Sequence, residues 1–131
     1  MKKLCLIAGL VLIGAFGISC QSVDVPGKNK NSPGYTLTPY LGSCYEVTLN
    51  LDVEAAFTAA QKGFKKLEVE PTDPKCDKLT GVVAGKLADG SVVRVELSAV
   101  SAKWTRMRLY VGSVANREKT VMVFDAIKPY L

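Results

Sequence analysis

The sequence predicts an α+β domain. It is a two-layer sandwich, an antiparallel meandering sheet with two helices packed on one face, in the order β-α-β-β-β-β-α. Three observations predict it. Apolar residues alternate with polar ones through Tyr45–Leu51, Ser91–Ala99 and Trp104–Val111, the period of half-buried strands. They recur every three or four residues in Val53–Leu67 and again after Asn116, the period of amphipathic helices. The strands follow one another through short turns, which antiparallel pairing allows. One-sided alternation leaves one sheet face to be buried, and both helices must cover it.

Each element follows from its residues. Tyr35–Tyr40 alternates weakly and contains Pro39, so it is either an edge strand or an extended lead-in, and Leu41-Gly42-Ser43 is a turn. In Tyr45–Leu51, Tyr45, Val47, Leu49 and Leu51 point inward while Glu46, Thr48 and Asn50 point outward. Asp52 is placed to cap a helix whose stripe is Val53, Phe57, Ala60, Phe64 and Leu67, with Glu54 and Lys62, Lys65 and Lys66 arranged as the helix dipole favours. Leu67–Glu70 reads as a short strand ended by Pro71, and 72–78 as a loop. Gly81 and Gly85 in the strand 79–88 mark a bulge or a close approach of another segment. Asp89-Gly90 is a hairpin signal. Val93, Val95 and Leu97 point inward on the return strand, as do Thr105, Met107, Leu109 and Val111 on the next. Asn116 caps a last helix with Val121, Phe124, Ile127 and Leu131 on its apolar side.

Ahead of this domain, Met1-Lys2-Lys3 is cationic and Leu4–Phe16 is nearly all apolar. That is the pattern of a secretory signal, too short for the roughly 20 apolar residues of a spanning helix. Gly17 and Ser19 suit ordinary cleavage. Ile18-Ser19-Cys20, however, resembles the lipobox of bacterial lipoproteins, although Gly17 stands where that motif most often has leucine. The resemblance implies a signal over 1–19 and a diacylglycerol on Cys20, hence a membrane partner through that lipid. Gln21, rather than aspartate, after the cysteine implies sorting to the outer membrane; the periplasmic side is the expected one, although no residue decides it. Residues 20–34, rich in Pro, Gly, Asn, Ser and Lys, read as a flexible tether. Such a linker has an end-to-end distance of about 20 Å and would let the 35–131 domain sit off the bilayer.

Composition narrows the chemistry. The chain carries net charge +5, and losing Lys2 and Lys3 leaves +3, too weak a field for a dedicated nucleic-acid binder. Histidine is absent, which removes Ser-His-Asp and Cys-His catalysis and histidine metal sites. No cofactor motif is present. Cys44 and Cys76 remain after processing, either as a disulfide closing a loop of about 30 residues or as two buried free thiols. Two thiols supply only half a zinc shell, so no metal is expected. Glu68 and Glu70, on one side of their strand, could do acid/base work or bind a cation, but with no third ligand nearby a solvated strand face is the favoured reading.

The strand ending Thr48-Leu49-Asn50-Leu51-Asp52, the helix Ala55-Ala56-Phe57-Thr58-Ala59-Ala60, the Leu87-Ala88-Asp89-Gly90 hairpin and Val111-Gly112 before the last helix together resemble a family of small bacterial lipoproteins known as a domain of unknown function. Tyr110 and Ala115-Asn116 depart from that family's usual arginine and Gly-Asp pair. The resemblance implies fold and location, and no activity.

The functional expectation is a non-catalytic envelope lipoprotein, an accessory or binding module. The alternatives are a purely structural lipoprotein and an enzyme using carboxylates or the two thiols. Trp104, Arg106, Arg108 and Tyr110 share the outward face of one strand, with Arg94 and Glu96 beside them. Two aromatics around two arginines suit an interface with an anionic envelope component or an acidic protein patch. The plainer reading is a solvated face on which Glu96 pairs with an arginine and a ring stacks on a guanidinium.

Overall fold

A computed structural model describes residues 22–26 and 34–131. The signal, Cys20 and positions 27–33 of the expected tether lie outside the described residues. Seven strands form one antiparallel sheet: β1 (Val23–Val25), β2 (Tyr35–Tyr40), β3 (Cys44–Leu49), β4 (Thr72–Cys76), β5 (Thr80–Lys86), β6 (Val92–Ala99) and β7 (Thr105–Val111). Their order across the sheet is β1-β2-β3-β7-β6-β5-β4. Helix α1 (Val53–Lys66) carries the chain from β3, inside the sheet, to β4 at the far edge. The strands β4 to β7 then meander back until β7 pairs with β3. Helix α2 (Arg117–Ile127) and a 3-10 turn (Lys128–Tyr130) close the chain. Both helices pack on one sheet face, giving the expected two-layer α+β sandwich.

The helices start where their capping residues stand. The Asp52 carboxylate accepts from Ala55 N–H at 2.8 Å, and the Asn116 amide oxygen accepts from Lys119 N–H at 2.9 Å. α1 buries Val53, Ala56, Ala59, Ala60, Gly63 and Phe64. The two helices touch at Gly63, where a Cβ would meet the Cα of Ile127 at 2.9 Å. The Asp89-Gly90 turn forms as expected, with Asp89 accepting from Ser91 N–H at 2.8 Å and Gly90 at φ +88°. Lys119 then ties α2 to that turn, 2.9 Å from the Asp89 carboxylate. Thr105, buried on the inner face, satisfies its hydroxyl on the Leu51 carbonyl at 2.7 Å.

Three segments differ from the sequence reading. The tether expected over 20–34 contains a strand: β1 pairs with β2, Val23 opposite Leu37 and Val25 opposite Tyr35, and both valines are buried. The ordered domain therefore begins by Val23, not at Tyr35. A Val-Asp-Val triplet is too short to carry a period by itself. It becomes a strand because β2 offers an edge and the core accepts the two valines. Tyr35–Tyr40 is the strand of its two readings, but it is paired on both sides and is not an edge.

The third difference follows α1. Leu67–Glu70 is a reversal, not a strand. Val69 N–H reaches Phe64 O at 2.8 Å and Glu68 N–H reaches Lys65 O at 3.1 Å, the paired bonds of a Schellman motif, with Glu68 in the left-handed region at φ +59°. Val69 is thereby folded into the core, where it occupies the space left by the missing side chain of Gly85. Glu68 and Glu70 consequently do not line one strand face. The strand lies just beyond, at β4, in residues that read as a loop. All five are exposed, Pro74 donates nothing, and the pairing with β5 is bulged between Thr72 and Lys75. Such an edge is invisible to hydrophobic periodicity because it buries no side chain.

The β2–β3 turn is built against its own preference. Ser43 N–H closes on Tyr40 O at 3.3 Å, and Leu41 and Gly42 both have positive φ, +51° and +67°. That is a type I′ geometry, which favours Asn-Gly. Leu41 stands in the asparagine position and is 83% exposed. Leu41→Asn is expected to stabilise the domain by about 1 kcal/mol, seen as a melting temperature raised by roughly 4–8 °C. An unchanged or lower melting temperature would mean that Leu41 makes compensating contacts.

Candidate binding face

The sheet face opposite the helices carries the arginine row. Strand register sets its layout. Glu46, Arg108 and Glu96 lie in one line across β3, β7 and β6, and Thr48, Arg106, Ser98 and Thr80 lie in the next across β3, β7, β6 and β5. Arg94 stands opposite Tyr110. The row read from the sequence is therefore brought together as far as Arg106, Arg108 and Tyr110. Trp104 lies just before β7, at the sheet end, 44% exposed, its carbonyl accepting from Val100 N–H at 2.9 Å.

The charges on this face are largely committed. Arg94 pairs with Glu96 at 2.8 Å, and its guanidinium lies 4.6 Å from the Tyr110 ring centre. Those are the contacts of the plainer reading. Arg108 donates from Nε to Glu46 Oε2 at 2.8 Å and stacks 4.1 Å over the Tyr40 ring. The Glu46 hydrogen bond also raises the Arg108 pKa. The other Glu46 oxygen lies 3.4 Å from Arg106 Nε. That contact is an ion pair without a hydrogen bond, and among the described residues Arg106 Nε has no hydrogen-bond partner. Arg106 is thus the arginine of the row whose donors are least used, and its neighbours in register are the hydroxyls of Thr48 and Ser98.

Glu46 and Tyr40 organise the face, and neither was among the residues singled out from the sequence. Alternation did place Glu46 outward. What was missing was the neighbour: β3 and β7 are separated by a helix and three strands, so nothing local puts a carboxylate of one beside the arginines of the other. Glu46→Gln is expected to lower stability by less than about 1 kcal/mol, because both ion pairs are partly solvated. Urea unfolding measures this, and a loss near 3 kcal/mol would show that the pairs behave as buried charges.

The cysteines are not bridged. Cys44 is buried and Cys76 is exposed, both as free thiols. β3 and β4 are four strand spacings apart in the sheet, about 19 Å, far beyond the roughly 7 Å between Cα atoms that a disulfide spans. The disulfide expectation is therefore corrected, as is the alternative of two buried thiols. Cys44 lies 3.6 Å from the Tyr40 carbonyl. Burial pushes its thiol pKa up; desolvation and nearby carboxylates, Glu54 first, do the same for Cys76. Neither is tuned toward the thiolate.

At the Trp104 end of the sheet a cleft of about 320 Å³ opens between the start of α1 and the loops before β5 and after β6, lined by Val53, Lys78, Leu79, Val100 and Ala102. Leu79 and Val100 are exposed at its rim. Among the described residues no helix is long and apolar enough to cross a membrane.

Fold and face together define a small α+β domain with one helix-covered sheet face and one open, arginine-bearing face. No protein-family model matches the chain, and no curated protein matches it.

Proposed function

We propose that this protein is a non-catalytic lipoprotein of the bacterial envelope, anchored through a lipid on Cys20 to the outer membrane on its periplasmic side. We propose further that its open sheet face engages an anionic group on an envelope partner. The anchor is supported by the run Leu4–Phe16 ending at Ile18-Ser19-Cys20. The observation that carries the binding role is the state of Arg106. Its neighbour Arg108 is hydrogen-bonded by Glu46 and stacked on Tyr40, whereas Arg106, partly exposed between two hydroxyl-bearing residues, has only a 3.4 Å ion pair from its buried Nε to Glu46. A carboxylate or phosphate oxygen arriving there would find guanidinium and hydroxyl donors already placed by the sheet.

The experiment is crosslinking of the mature protein in cells. Arg106→Ala is expected to reduce capture of the crosslinked partner several-fold, while Lys62→Ala with Lys65→Ala, on the helix side, leaves it unchanged. Equal losses in both would reduce the effect to net charge. No loss in either would return the face to ordinary solvent-exposed sheet. In parallel, Cys20→Ser should abolish fatty-acid labelling and leave the precursor unprocessed; normal cleavage after Ser19 would remove the anchor.

A further inference from the structure

We infer that the domain rests on the bilayer by one end of its sheet, with Leu41 of the β2–β3 turn and Val114 of the β7–α2 loop set among the lipid headgroups. This rests on the reading of Cys20 as the lipidated residue. The direction of β1 carries it. β1 starts at Val23, so only Gln21 and Ser22 separate it from Cys20. Three residues span at most about 10 Å, which leaves no room for a tether that holds the domain away.

β1 also sets which end faces down. It runs antiparallel to β2, with Val23 opposite Leu37 and Val25 opposite Tyr35. The chain before Val23 therefore leads toward the Tyr40 end of β2, the end that carries the turn. From the level of Leu37, Tyr40 is three residues along the strand, about 10 Å, so the reach of Cys20 extends to the level of the turn.

That end exposes apolar side chains. Leu41 is 83% exposed, Val114 67% and Val92 52%. The two loops are joined by a hydrogen bond, Ala115 N–H donating to Gly42 O at 3.3 Å, which puts Leu41 and Val114 on neighbouring loops. Leu41 occupies a type I′ position where asparagine would relieve backbone strain and leave no apolar side chain in water. An insertion role accounts for a leucine kept there. Exposed Lys86 and Arg117 lie at the same end with the Asp89–Lys119 ion pair and Glu118, so cations and carboxylates both flank the apolar tips.

The opposite end holds Leu79, Val100 and Trp104, also exposed. It cannot be the docked end. Trp104 precedes β7, three strand spacings from β1, about 14 Å across the sheet, and the chain enters β1 from the other end. With the turn end down, the cleft beside Val53 and Leu79 opens away from the membrane.

The molecule supplies its own control, because Trp104 is its single tryptophan. The lipidated protein, its acylation verified by mass, would be placed in vesicles of phosphatidylethanolamine and phosphatidylglycerol carrying brominated acyl chains. The tryptophan of the double variant L41W/W104F is expected to be quenched about twofold, as for a ring 5–10 Å into the interface, and Trp104 of the wild type is expected to be unquenched. Both substituted sites are exposed, and circular dichroism of the variant should match wild type. Quenching of Trp104 without quenching in L41W/W104F would invert the orientation and overturn the inference. Quenching in neither, on a protein shown to be acylated, would mean that the domain stands off the bilayer. An unacylated mature N-terminus would instead overturn the reading of Cys20, and this placement with it.

Discussion

Phe124→Ala is expected to lower stability by about 3–5 kcal/mol, the largest single effect considered. Phe124 is fully buried in the last turn of α2, and its ring meets that of Tyr35 edge to face, with centres 5.3 Å apart. Truncation removes a large apolar side chain and one partner of that aromatic pair, and β-sheet on one side and helix on the other leave little freedom to collapse into the space. In a domain of this size the melting temperature should fall by at least about 12 °C. Because Tyr35 begins β2, the loss should also loosen β1, which depends on β2 for all its pairing. Amide exchange at Val23–Val25 should then rise more than exchange in β6. A drop of only about 1 kcal/mol would mean that the α2–β2 contact is not part of the cooperative core.

The second effect has a sign that local rules get wrong. In an exposed helix, glycine to alanine stabilises by about 1 kcal/mol. Gly63→Ala is expected instead to destabilise by about 1–2 kcal/mol net. The added methyl would lie 2.5 Å from Ile127 Cγ1, 2.9 Å from its Cα and 3.0 Å from its backbone nitrogen. The side-chain atom can rotate away. The backbone atoms cannot, so α2 must shift off α1, at an overpacking cost of about 1–3 kcal/mol or more. Chemical denaturation measures it, and stabilisation by Gly63→Ala would show that the two helices can separate without penalty.

Residues 67 to 76 show where local reading stops. Leu67-Glu68-Val69-Glu70 alternates like a strand, and by periodicity alone it is one. What overrides this is the end of α1, whose last carbonyls need donors. The Schellman bonds from Glu68 and Val69 supply them and turn the chain before a strand can form. The bonds exist because Val69 can bury itself against Gly85, a residue of another strand. β4 then forms from exposed residues whose only merit is backbone pairing to β5.

The candidate face divides the same way. That Arg106, Arg108 and Tyr110 point to one side follows from strand period, and so does the outward placement of Arg94, Glu96 and Glu46. That Glu46 pairs with both arginines, and hydrogen-bonds only Arg108, does not.

By itself, then, the sequence determined the α+β class, the helix starts at Asp52 and Asn116, the Asp89-Gly90 turn and the inward and outward sets of β3, β6 and β7. These depend on caps, turn residues and side-chain period, interactions within a few residues of chain. Tertiary structure alone decided that β7 closes on β3, that Val23–Val25 joins the sheet and that β4 lies beyond Pro71. It also decided that Cys44 and Cys76 stand four strands apart and that Glu46 hydrogen-bonds Arg108 while it only ion-pairs with Arg106. Each of those is a pairing between distant segments. Backbone hydrogen bonds are the same for every residue but proline, so a strand's partner is selected by the burial and closure of the whole sheet rather than by its own composition.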